Sequence, residues 1–151
     1  MITREVRTGE LIGHRVWFPR GITITDVGTL HSYNVQAAIW EPGKPMQGHP
    51  ERPIVRYGRK PGIYAFLERD QLDRWLFYNP GVVIVGTAWL WGTVHQHERG
   101  VRAQYAYPRE FDGIRGELPS YFKPDKILKN LRDRFIGRSV DYENLFPGID
   151  R

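Results

Sequence analysis

Between Val82 and His97 the odd-numbered positions read Trp89, Trp91, Thr93, His95 and His97, side chains of types that bind or do chemistry. Because successive side chains of a strand alternate between its faces, a strand here gathers all five on one side. The segment that follows pairs back and adds Arg102 and Gln104. Indole faces stack on bases or peptide groups, while Arg, His and Gln donate hydrogen bonds, so Trp89, Trp91, His95, His97, Arg102 and Gln104 are the candidate binding residues. Two histidines two apart on a strand can also converge on a metal, with Glu98 as a third ligand of a zinc or iron site. No further ligand can be placed, so no metal is expected, and the pair equally fits a plain hairpin surface. The two tryptophans likewise fit a second core layer under a helix.

A different chemistry belongs to the segment from Lys123 to Arg138, which holds six basic residues against two acidic ones. Lys126, Lys129, Arg132 and Arg134 on a helix can neutralise phosphates, the nucleic-acid alternative, although a solvated amphipathic helix looks the same in sequence. A second basic cluster is Arg52, Arg56, Arg59 and Lys60 beside Glu51. Enzyme motifs are missing. There is no Gly-rich phosphate loop, no Gly-x-Ser-x-Gly elbow and no His-Glu-x-x-His, and a serine triad would have to draw on Ser32, Ser120 or Ser139. Glu68, Glu98 and Glu110 are not visibly paired. A site of ADP-ribosyltransferase type, with His14-Arg15 on an early strand and a late Glu, is conceivable, but nothing in the spacing compels it. No catalytic residue and no cofactor is therefore expected.

The elements that position these residues are bounded by composition. The chain has 151 residues, net charge +5, 40% hydrophobic and 26% charged residues, and no cysteine. That suits one domain with a packed core, argues against disorder, excludes disulfides and thiolate chemistry, and fits a reducing, cytoplasmic compartment. The N-terminal Met1-Ile2-Thr3-Arg4-Glu5 lacks an apolar stretch of signal-peptide type. Trp75 to Val94 is twenty residues without a formal charge, yet Asn79-Pro80-Gly81 and the β-branched run Val82 to Val85 argue against a membrane span.

Leu11 to Phe18 reads as a strand, Pro19-Arg20-Gly21 as a turn and Ile22 to Thr25 as the returning strand. His31 to Trp40 fits a strand or a short helix. A Pro-rich loop follows over about 41–61, then a strand over Gly62 to Leu67 and a short helix over Glu68 to Tyr78, with Leu72, Trp75 and Leu76 on one stripe. Val82 to His97 is a long strand that Gly86 and Gly92 should bend. Val101 to Tyr107 is its partner, and pairing Glu98 with Val101 sets Val94 opposite Tyr105 and His95 opposite Gln104. Ile84, Ala88, Leu90 and Val94, with Val101, Ala103, Tyr105 and Tyr107, form the core face. After a Gly/Pro-rich loop, Pro124 to Ile136 is a helix with Ile127, Leu128, Leu131 and Phe135 as its apolar stripe. This order lacks regular βαβ alternation and predicts an α+β fold. Its sheet is antiparallel or mixed and bent, a partly closed barrel being one form, with one short helix and a C-terminal amphipathic basic helix. The single domain 1–151 has its core over about 9–137 and a tail over 138–151.

Four segments carry a likeness: Gly9 to Trp17, Trp40 to Pro45, Gly62-Ile63-Tyr64-Ala65, and Leu90-Trp91-Gly92-Thr93-Val94 through His97-Glu98-Arg99-Gly100-Val101-Arg102-Ala103 to Tyr105-Ala106-Tyr107-Pro108. Over about Gly9 to Pro108 the chain resembles a family of small uncharacterised proteins of actinobacteria and their phages. The resemblance implies a host range and no catalytic residue. Some relatives place cysteines, as if for zinc, just before the Gly-Ile-Tyr-Ala segment. Here that stretch is Arg56-Tyr57-Gly58-Arg59-Lys60-Pro61, so the implied metal does not carry over even with His49 in place.

Two functions follow as expectations. The first is a non-enzymatic, phage-encoded protein that binds a host macromolecule, a host protein in the first instance, in the host cytoplasm. The alternative is an enzyme acting on a nucleotide or nucleic acid, or a nucleic-acid-binding module, built on the His/Arg face and the basic helix.

Overall fold

The computed structural model describes residues 2–32, 38–48, 50 and 63–137. Nine elements follow in chain order: β1 (Ile2–Ile22), β2 (Val27–His31), β3 (Ile39–Trp40), β4 (Met46–Gln47), β5 (Ile63–Ala65), α1 (Arg69–Tyr78), β6 (Val83–His97), β7 (Gly100–Arg115) and α2 (Pro124–Phe135). The strands form one sheet in the order β3-β2-β1-β6-β7-β4, with β5 also on β7, and every named pairing is antiparallel. This is an α+β architecture. The sheet is not closed into a barrel. An isolated bridge also joins His14 of β1 to Phe66, just after β5, through two backbone hydrogen bonds of 2.7 and 2.8 Å.

The β1–β2 hairpin turns later than Pro19-Arg20-Gly21. β1 runs on through Pro19, which pairs with Leu30, and the chain reverses at Thr23–Asp26. There Asp26 N donates to Thr23 Oγ1 (3.1 Å), Val27 N to Asp26 Oδ1 (2.7 Å) and Thr23 N to Asp26 O (2.8 Å). Thr and Asp side chains that bond nearby backbone make the turn, and this outweighs a Pro-Arg-Gly sequence. β1 also begins at Ile2, well before Leu11, with a register shift between Val6 and Leu11. Within His31 to Trp40 the described ends are strand, β2 and β3. Inside the stretch read as a Pro-rich loop, Met46–Gln47 pairs with β7, while 51–61 lies outside the described residues. The tail 138–151 lies outside them too.

β6 bends where its glycines stand. A Cβ at Gly86 would meet Glu110 O at 2.0 Å, beside one register shift, and Gly92 has φ +81 inside another, between Trp91 and Val94. An L side chain fits neither position. β7 extends past Tyr107 to Arg115, because further register shifts admit Pro108, which lacks an N–H, opposite Ala88. The hairpin turns one residue earlier than expected, with a loop of the same length: His97 pairs with Gly100, leaving Glu98-Arg99 in place of Arg99-Gly100. His95 therefore faces Arg102 rather than Gln104, and Val94 faces Ala103 rather than Tyr105.

Both helices form where the apolar stripes fall. α1 starts with a capping box of Glu68 and Gln71 and buries Leu72 against Val16, Val83 and Val85. α2 has Pro124 at its start and buries Ile127, Leu128, Leu131 and Phe135 in the main core with Trp17, Ile84, Leu90 and Phe111. No helix among the described residues is long and apolar enough to cross a membrane.

Candidate functional site

β6 lies between β1 and β7, so each of its side chains is held by a neighbour on either flank. From Ala88 to His95 burial follows the alternation except at the Gly92 bulge. Ile84, Ala88, Leu90 and Val94 are fully buried, whereas Trp89, Trp91, Thr93, His95 and His97 are each half-buried. Both tryptophans pack partly against the core, as the second-layer reading has it, yet they keep exposed surface.

Along this outer face the chemistry changes by rows. The first row is His14–Thr87–Glu110, each residue directly opposite the next across β1, β6 and β7. Next comes Trp89, opposite Ile12, with the Arg109 guanidinium 5.3 Å from its ring centroid. Trp91 stacks on Tyr105, its cross-strand partner, at 5.7 Å and 22° between planes. Thr93 donates from Oγ1 to Glu5 Oε1 (2.6 Å) and from its backbone N to Gln104 Oε1 (3.1 Å), so Gln104 serves the Gly92 bulge. The last row holds Thr3, His95 and Arg102.

Arg102 is 7% exposed. Its Nε donates to His97 Nε2 (3.1 Å), which fixes that nitrogen of His97 as an acceptor. A guanidinium seated on Nε2 takes the lone pair that a metal would need. Glu98 sits exposed in the turn, its backbone O accepting from Gln71 Nε2 (3.0 Å). Among the described residues no group of three potential ligands gathers. His49 and 56–61, the segment where relatives place cysteines, lie outside the described residues.

The basic helix is not a free cationic face. Arg132 donates to Phe111 O from Nε (3.2 Å) and Nη2 (2.6 Å), and Arg134 donates to Val27 O (2.7 Å) and Asp26 Oδ1 (3.1 Å). Lys129 pairs with Asp133 at 3.0 Å, and Lys126 is exposed. Arg132 and Arg134 thus lock α2 to β7 and to the β1–β2 turn, a use that charge counting does not distinguish from phosphate binding.

Sequence reading passed over Arg109, Tyr105, Thr3 and Glu5 as parts of this surface. Thr3 and Glu5 fall outside a strand that starts at Leu11, and Tyr105 joins this surface because the register shift at the Gly92 bulge sets it opposite Trp91. Arg15, next to His14 on β1, lies 9% exposed with its guanidinium 4.8 Å from the Trp40 ring centroid, donating to Ser32 Oγ (2.8 Å) and Tyr64 O. Burial pushes it down to about 10.

No protein family, curated protein or solved structure matches this chain. Its role therefore has to be argued from the outer face itself.

Proposed function

We propose that the protein is a non-enzymatic binding protein, encoded by a phage and acting in the host cytoplasm, whose partner is a host macromolecule, in the first instance a host protein. One observation carries this reading: on the central strand of the sheet, Trp89, Trp91, His95 and His97 stay half-exposed while Ala88, Leu90 and Val94 between them are fully buried. Trp, Tyr and Arg dominate the energetics of protein interfaces, and side chains held by strands on both flanks lose little further freedom on binding. The nucleic-acid alternative has less support, because Arg132 and Arg134 are spent on the chain's own carbonyls. The resemblance to actinobacterial and phage proteins supplies the host.

Affinity capture from actinobacterial lysate, with and without nuclease and at low and moderate salt, tests this. Phosphate-driven binding weakens steeply as salt rises. A discrete protein retained through nuclease and salt is the expected result. Material lost to nuclease moves the function to nucleic acid and overturns the proposal.

A further inference from the structure

We propose that Arg102 and His95 form the point at which this face takes an oxyanion, a carboxylate or phosphate group carried by the partner; the inference rests on the outer face being the binding surface. A guanidinium removed from water is costly unless a counter-charge meets it. Arg102 is 93% withdrawn from solvent, taking its 7% exposure as the remainder, and among the described residues no carboxylate pairs with it. Its one hydrogen bond goes to a histidine nitrogen, which brings no negative charge, and its Nη1 has no partner.

The neighbouring orphan makes this a site rather than an isolated defect. His95 stands directly opposite Arg102, and its Nδ1 is also without a partner. Residues so placed hold their Cβ atoms about 5 Å apart, within the span that one carboxylate or phosphate bridges with two oxygens. Arg109, Arg69 and Arg134 each meet a carboxylate, Glu110 (3.5 Å), Asp73 (3.1 Å) and Asp26 (3.1 Å), and Arg15, also buried, gives both its Nη nitrogens to the neutral acceptors Tyr64 O and Ser32 Oγ, whereas Nη1 of Arg102 has no acceptor. Both orphan nitrogens are shielded from solvent. An arriving anion reaches them by turning the half-exposed His95 ring, a side-chain rotation that leaves the strand pairing intact.

The test is thermal unfolding of the full chain in sodium phosphate and in sodium acetate, each against sodium chloride at matched ionic strength. An anion that binds only the folded state should raise Tm by about 2–4 °C over chloride. His95→Ala and Arg102→Met should each abolish the rise, and His95→Ala, at a half-exposed position, keeps the test open if Arg102→Met does not fold. A rise with acetate assigns the carboxylate source, and a rise with phosphate alone assigns the phosphate source. No rise with either anion, or a rise that survives His95→Ala, overturns the proposal. The underlying reading fails separately: partner capture lost in Trp91→Ala without any anion response removes the oxyanion point alone, whereas an anion response with capture indifferent to Trp91→Ala and His95→Ala removes the binding face.

Discussion

Arg15 and Arg102 are both buried cations, and their surroundings set different consequences. Both Nη nitrogens of Arg15 reach neutral acceptors, Tyr64 O and Ser32 Oγ, with the Trp40 ring beside the guanidinium, and burial lowers it from the usual arginine range to about 10. Above about 10 the unfolded chain still holds a proton that the folded chain has released, so this group makes stability rise with pH there and contributes no slope well below it. Urea unfolding of the wild type and Arg15→Met at pH values below and above 10 should show the wild type gaining relative to the variant at the higher pH. A constant difference would contradict the burial argument. The residue types at positions 89 to 97 were legible from the sequence, because period-two alternation is a property of strands as such. The partners were not: whether His95 meets Gln104 or Arg102 turns on where a two-residue loop begins, and Glu98-Arg99 and Arg99-Gly100 are both acceptable there.

Among the elements, β6 and α2 were the most legible, and for the same reason. Each has an apolar pattern long enough to fix its type, and Gly86, Gly92 and Pro124 mark positions where only certain backbones fit. At Gly92, with φ +81, Gly92→Ala should cost about 1–3 kcal/mol of stability by chemical denaturation, since an L side chain is strained in that region. An unchanged midpoint would mean that the bulge is dispensable. Pro19 and Pro108 misled because each reads as a chain break, yet one continues a strand that β2 pairs and the other sits at a bulge. α2 also closes an edge. Arg132 covers the Phe111 carbonyl on β7, where an unpaired group would invite another strand. Arg132→Met should cost about 1–3 kcal/mol, the price of an unsatisfied acceptor, and raise the tendency to self-associate, as read by denaturation and light scattering.

For the whole molecule, charge and composition bounded the class without locating the function. The excess of positive charge draws attention to α2, but Arg132 and Arg134 hold the helix to its own sheet, and the surface that stands out is the half-exposed line of Trp89, Trp91, Thr93, His95 and His97 on β6. Long-range pairing decides this, since β1 supplies Thr3 and Glu5 from the far end of the chain. The most direct test of the account is a side-by-side capture with the wild type, Trp91→Ala and His95→Ala, each checked for an unchanged fold by circular dichroism. Loss of the same host protein from both variants, with the fold retained, is the result the account predicts. Capture of that protein by both variants at wild-type levels would contradict it.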